Sequence, residues 1–375
     1  MSNLIIGDNL DVLKDGKHLD KSYKMIYLDP PYNTCTNKSY KDKEESNVWS
    51  NQIKERLIAL KPYLADNGVL MISIDDNEYA TTKILCDEVF GKKNFLGTFI
   101  TRQATRSNSK HINTIHEYVI CFAKNKSKVK PFSIKRIEME ENIWMIVLQE
   151  QCTSIFESKG KEEAQDFLNN YLKKNVDVTW LRNYNRIDDD GRIFFASDLS
   201  TPGTPREVSI PEIDLYLKPL KTRGWTSDAR FIELHKMNLL DYKNGRPYEK
   251  KYLLESMDNA PSILNFYSRQ GTNELQKLGL EGLFDTPKPL NLMKYLIRMV
   301  CQEGDKVLDI YGGSGTTAHA CEDLGLEWTL IQRDEEVQDD GVFKACEKLG
   351  VNPNIVDILK TRLNKISKQY IVEEI

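Results

Sequence analysis

The segment GVLMISID, residues 68–75, contains a strand-length stretch with no polar residue between Val69 and Ile72. Similar runs recur in MIYLD (25–29), EYVICFAK (117–124), DKVLDI (305–310) and WTLIQRD (328–334). Strands that skip the apolar–polar alternation need cover on both faces, which favours an α/β sheet clothed by helices. Helical rhythm appears between them, in NVWSNQIKERLIALKPYL (47–64), NEYATTKILCDEVFG (77–91, stopped by Gly91) and NLMKYLIRMV (291–300). The α/β portions at the two ends are each too short to stand alone. They are expected to form one sheet interrupted by a region of different character, with segments at 1–125, 126–270 and 271–375.

The middle of the chain supports that division. Residues 101–136 carry nine Lys or Arg residues and a single acid, Glu117. Residues 138–175 read as helical with an acidic face, TPGTPREVSIPEI (201–213) is too rich in proline for an element interior, and a helix restarts after Thr226 or Ser227. The net charge of −4 and pI near 5.9 give no overall basic signature, so any nucleic-acid surface must be local. Seven cysteines without a CxxC pair suit reduced thiols in a cytoplasmic protein. No apolar run approaches membrane-spanning length, and the start of the chain has no secretion pattern, so no membrane association is expected.

Two segments carry chemistry. In KMIYLDPPYNT the strand-like residues end in Asp29-Pro30-Pro31-Tyr32, and consecutive prolines cannot continue a buried strand. The segment is either a rigid surface turn or an active-site lip that presents an acid, fixed carbonyls and an aromatic face to a planar amine. In VLDIYGGSGTT (307–317) a strand leads through Gly312, Gly313 and Gly315 into a helix starting near Thr316. The lysine of a P-loop is missing, and so is the third glycine of a dinucleotide fingerprint. Asp309 before the turn suits a ligand with an ammonium group, and IQRD (331–334) ends a strand with groups able to reach a ribose. The alternatives are S-adenosylmethionine, a nucleoside with an amino-acid tail, or a ligand-free turn.

DPPYNT followed far downstream by the DxYxGSGTT turn resembles the beta class of DNA amino-methyltransferases. More narrowly, GDNLDVL (7–13), SIDDNE (73–78), GRPYEKKYL (245–253), FDTPKP (284–289) and GSGTTAHA (313–320) resemble the modification subunits of type III restriction–modification systems. The resemblance implies a Rossmann-like, S-adenosylmethionine-dependent methyltransferase sheet in circularly permuted motif order, with an inserted target-recognition region. It implies methyl transfer to the exocyclic N6 of an adenine flipped out of double-stranded DNA. Asp29 and the Pro30 carbonyl would accept hydrogen bonds from the amine, Pro31 would stiffen the lip, and Tyr32 would stack on the base. Cofactor binding would fall to Asp8, Asp309, Tyr311, Gly313 and Gly315, with Thr286 and Lys288 closing over the methionine tail. Gln332 stands where relatives place a ribose-binding acid, a role that Asp334 could take instead.

The same resemblance places DNA contacts between the two motifs. Arg102, Arg106 and Lys110 are candidates for phosphate contact, and Arg182 and Arg223, with Arg186, Arg206 and Trp225, for sequence reading. A homodimer and a possible restriction subunit are the implied protein partners. Cytosine-N4 methylation, or a role as a DNA-recognition subunit, are the alternatives; DPPY favours adenine over cytosine in the resembling families. Cytosine-C5 chemistry is not expected, because Cys35 follows Thr34 rather than a proline. Five scattered histidines offer no ligand spacing, and no metal is expected.

Overall fold

Each uninterrupted apolar run becomes a strand. The computed structural model describes residues 2–34, 45–102, 104, 111–138, 142–175, 177–367 and 369–375. The chain divides into two compact units, Met1–Phe132 with Asn259–Ile375, and Ser133–Asp258.

The first unit holds a nine-stranded sheet. Its strands are β1 (Asn3–Ile6), β2 (Tyr23–Leu28), β3 (Leu64–Ile74), β4 (Phe95–Arg102), β5 (His116–Ala123), β6 (Ile263–Leu264), β7 (Lys306–Asp309), β8 (Glu327–Gln332) and β9 (Ile371–Glu374). They lie in the order β6-β4-β5-β3-β2-β7-β8-β1-β9. Neighbours run parallel except where β5 pairs antiparallel with β3 and β4. From Val69 to Ile72 every residue is 0 % exposed, and consecutive side chains point to opposite faces, so both faces of β3 are covered. One face is packed by α1 (Asn9–Asp15), α2 (Ser46–Leu60) and α3 (Tyr79–Phe90), whose Val12, Trp49, Leu57 and Phe90 share a core with Ile26, Leu70 and Phe122. Further along lie α4 (Ser268–Lys277), α5 (Leu290–Val300), α6 (Thr316–Leu324), α7 (Asp340–Leu349) and α8 (Ile355–Ile366).

The register joins the early and late parts of the chain directly. Met25, Ile26 and Tyr27 of β2 pair with Val307, Leu308 and Asp309 of β7. Four adjacent parallel strands, β2, β7, β8 and β1, therefore end on one edge, just before Asp29, at Asp309, at Gln332 and before Gly7. That is the edge at which open α/β sheets hold ligands.

The second unit has its own cores. Helices Trp144–Lys159 and Lys161–Lys174 bury Met145, Leu148, Cys152, Ala164 and Leu168 together, and a separate cluster gathers Val208, Leu215, Trp225 and Phe231. Strands Leu240–Lys243, Arg246–Tyr252, Ile193–Asp198 and Arg186–Ile187 make an antiparallel sheet in that order. Composition set the edges of the middle region at 126 and 270. Residues up to 132 and from 259 instead belong with the large sheet, where β6 pairs Ile263 with Ile100 of β4. A two-residue strand is too short to leave a pattern in the sequence.

Cys86, Cys121, Cys152, Cys301, Cys321 and Cys346 are buried free thiols. Cys35, Arg106 and Lys110 lie outside the described residues. Among the described residues no helix is long and apolar enough to cross a membrane, and no cluster of acids, histidines and cysteines is arranged to hold a metal ion.

Candidate active site

The lip after β2 is tied down from below. The Trp49 indole, at the start of α2, donates to the Pro31 carbonyl at 2.8 Å. Asn33 adopts a left-handed backbone (φ 59°), which turns the chain after Tyr32, and its side-chain amide donates to Glu78 Oε1 at 3.1 Å. Ser46 Oγ donates to the same oxygen at 3.0 Å, and Glu78 is 3 % exposed. The double proline thus sits on a fixed base, with Pro30 buried.

Above it lies a compact charge cluster. Lys288 Nζ is 2.5 Å from the Tyr32 hydroxyl, 3.0 Å from Glu117 Oε2 and 3.1 Å from Asp29 Oδ1. The Tyr32 hydroxyl is 3.0 Å from both Asp29 Oδ1 and Glu117 Oε2, so its one hydrogen is shared between two carboxylates. Burial raises the Asp29 pKa, and the Lys288 charge offsets part of that rise. Burial and the two carboxylates push the Tyr32 phenol well above its ordinary value, so it stays neutral. Burial works against the Lys288 ammonium, but Asp29 and Glu117 outweigh it and hold its pKa well above the usual lysine range.

The glycine turn after β7 is equally determined. Asp309, 3 % exposed, accepts from Thr317 Oγ1 at 2.5 Å and from the Tyr311 amide at 2.9 Å. Burial dominates and raises its pKa to about 7. The Gly313 amide (φ 48°) donates to Gln332 Oε1 at 2.8 Å, while Gln332 Nε2 donates to the Arg333 carbonyl at 2.9 Å. Gly315 starts α6 at φ 78°. A Cβ there would lie 2.6 Å from Leu359 Cδ1, inside the packing of α8. From α8 the buried Arg362 guanidinium donates to the Ser314 carbonyl at 3.1 Å and to Thr316 Oγ1 at 2.9 Å, bracing the turn from behind.

Lip and turn open onto one cavity. Its lining includes Asp29, Pro31 and Tyr32 from the lip, Asp309, Tyr311 and Gly313 from the turn, and Thr286, Lys288, Gln332, Phe284, Ile355, Glu117 and Glu335. Pro30, Gly315 and Asp8 are not among the lining residues. Asp8 caps α1, accepting from the Leu10 amide at 2.9 Å, and lies 3.6 Å from Arg56. Lys288, expected over a methionine tail, is engaged with the lip. Gln332 uses its carbonyl oxygen to hold the glycine turn. Asp334 is exposed and accepts from Asn354 at 2.6 Å, whereas Glu335, raised in pKa by burial, faces the cavity.

Glu117 and Glu335 escaped sequence reasoning. Glu117 left one trace, as the lone acid in a basic stretch. Glu335 left none beyond its place after IQRD.

The remaining candidates are not among the residues that line the cavity. Arg102 is exposed, with a long 3.5 Å contact to the Tyr267 hydroxyl. In the second unit Arg182 is exposed, and Arg223 donates to Ser200 Oγ at 2.8 Å and to its carbonyl at 3.0 Å. Arg186 pairs with Asp241 and Arg206 with Asp228. Trp225 is a core side chain, 7 % exposed, with its indole donating to the Lys218 carbonyl.

Comparison with known proteins places the chain in a family and finds relatives along its length. The family model described as DNA methylase, of the N6/N4 methyltransferase type, matches residues 23–343. The EcoP15I Mod subunit of a type III restriction–modification enzyme from Escherichia coli is 28 % identical over 98 % of this chain and 63 % of its own length. The type II methyltransferase M.KpnI from Klebsiella pneumoniae is 27 % identical over 98 % of this chain and 88 % of its own. The solved PvuII DNA methyltransferase, cytosine-N4-specific, superposes with a TM-score of 0.47 at 12 % identity, over 99 % of this chain and 95 % of that one. The chain thus spans less than two thirds of the EcoP15I Mod subunit.

Proposed function

The chain belongs to the DNA methylase family, and on that premise we propose that it methylates the exocyclic N6 of adenine in double-stranded DNA, using S-adenosyl-L-methionine. The observation that carries this reading is the single cavity shared by the acceptor lip and the glycine turn. Four carboxyl groups (Asp29, Glu117, Asp309 and Glu335) face it against one lysine, which suits a cationic ligand. Phe284 and Ile355 supply apolar faces for a flat base, and Thr286, Tyr311, Gly313 and Gln332 frame the rest. The cofactor contributes an electrophilic methyl group on a sulfonium centre.

An aromatic amine is a poor nucleophile, because its lone pair is delocalised into the ring. Asp29 and the Pro30 carbonyl accept its two N–H bonds, which orients the lone pair and disperses the charge developing on nitrogen. No strong base is required for that task. Tyr32 offers its ring to the extruded base and recovers part of the lost stacking, about 1–3 kcal/mol. The acid at the head of DPPY favours adenine over cytosine.

Arg102, Arg106 and Lys110 are assigned to phosphate contact, and the unit Ser133–Asp258, through Arg182 and Arg223, to target recognition. A homodimer of about 87 kDa, twice the 43.4 kDa chain, gives such a unit a second set of contacts. The resemblance to Mod subunits makes a restriction subunit the natural further partner.

The test is mass spectrometry of nucleosides from duplex DNA incubated with the protein and isotopically labelled S-adenosylmethionine. N6-methyldeoxyadenosine is expected, with loss of the signal in Asp29→Ala. N4-methyldeoxycytidine would overturn the base assignment, and the absence of any methylated nucleoside would overturn the activity.

A further inference from the structure

The cavity contains a lysine directly beside the carboxylate assigned to the substrate amine. Lys288 lies 3.1 Å from Asp29, and a cation there would occupy an acceptor oxygen and repel both a sulfonium and an amine gaining positive charge. The fold answers this with Glu117. Strand β5 runs antiparallel to β3, so its first residues lie beside the carboxyl end of β3, where Tyr118 pairs with Ile74. A parallel strand in that place would carry its opening residues to the far edge of the sheet. Glu117 Oε2 thereby receives Lys288 at 3.0 Å and lies 3.0 Å from the Tyr32 hydroxyl. The side chains of Lys288 and Glu117 are only 13 % and 19 % exposed, so water screens the pair weakly.

We propose that Glu117 is the counter-ion of Lys288, a positioning residue that shares the lysine with Asp29 and so balances its charge. It keeps one net negative charge at the lip, so that the site prefers a cationic sulfonium to a neutral thioether. Two carboxylates against one ammonium leave a charge of −1. Removing the Glu117 charge leaves zero and gives Lys288 only Asp29 as an ionic partner. Removing the Lys288 charge leaves −2, and removing both restores −1. This inference rests on the cofactor reading above and extends it to the selection of cofactor over spent product.

The experiment is calorimetric titration of the full chain with S-adenosylmethionine and, separately, S-adenosylhomocysteine, which differ in the charge on sulfur. Glu117→Gln keeps the size and an acceptor oxygen. It should weaken S-adenosylmethionine roughly tenfold while leaving S-adenosylhomocysteine within about twofold, as expected for one unit charge at short range in a partly screened site. Lys288→Met should shift the preference toward the sulfonium, and Glu117→Gln/Lys288→Met should return it to that of the wild type. Retained S-adenosylhomocysteine binding reports that each variant is folded. Equal weakening of both ligands in Glu117→Gln, or a double variant no better than Glu117→Gln, would overturn the proposal. Wild-type protein that binds neither ligand would instead overturn the cofactor reading, and the inference with it.

Discussion

Replacing Tyr32 by phenylalanine separates two views of the lip. Were Tyr32 only a stacking face, the loss of its hydroxyl would be silent. In the structure that hydroxyl accepts from Lys288 at 2.5 Å and shares its hydrogen between Asp29 and Glu117 at 3.0 Å. A hydrogen bond to a charged group contributes about 1.5–3 kcal/mol. Lys288 keeps both carboxylates in the variant, at 3.0 and 3.1 Å, and the Asp29 side chain is 26 % exposed, so water recovers part of the loss. The net cost should be about 1–2 kcal/mol. For a unit of this size that lowers the melting temperature by roughly 2–6 °C. Differential scanning calorimetry without ligand measures it. A melting temperature within about 1 °C of wild type would refute the view that the hydroxyl anchors the cluster. Tyr32→Ala should in addition weaken capture of a matched target base more than a mismatched one, because it removes the ring as well.

Gly315→Val should destabilise the protein by about 2–4 kcal/mol in urea unfolding without ligand, since a left-handed φ of 78° and a contact of 2.6 Å to Leu359 both oppose a side chain. A variant of normal stability that fails to bind S-adenosylmethionine would place the glycine at the ligand instead. Asp309 gives a pH signature. Its folded pKa of about 7 lies above the unfolded value near 3.8, so its contribution to stability is fully present below the lower value and is lost as pH rises through about 7. Asp309→Asn should flatten that part of the stability profile between pH 4 and 7, read from urea midpoints, and an unchanged slope would show that Asp309 titrates normally. Asp29→Ala should slow single-turnover methyl transfer by on the order of 100-fold or more, and normal transfer would remove Asp29 from the chemistry.

The local features of this protein were set by residues near one another in the chain. Apolar runs without alternation dictated covered strands, as in β3, where Val69 to Ile72 are fully buried. Proline chemistry ended β2 before the lip, and glycines at positive φ made the turn after β7, because strand burial, proline geometry and glycine freedom act over a few residues. Only the tertiary structure decided which distant groups share a charge environment. Glu117 is marked in the sequence only as the lone acid of the basic stretch 101–136, which says nothing of its partners; the antiparallel run of β5 brings it to Tyr32, 85 positions away. Lys288 looked like part of a segment flanking the cofactor, yet its strongest partners are the two carboxylates around the lip. Gly315 looked like a ligand contact, yet α8, which carries no legible motif, fills the space beside it. Electrostatic and packing partners are fixed by distance in space: the pairing of β2 with β7 brings the lip beside the glycine turn, and that of β3 with β5 brings Glu117 to the lip.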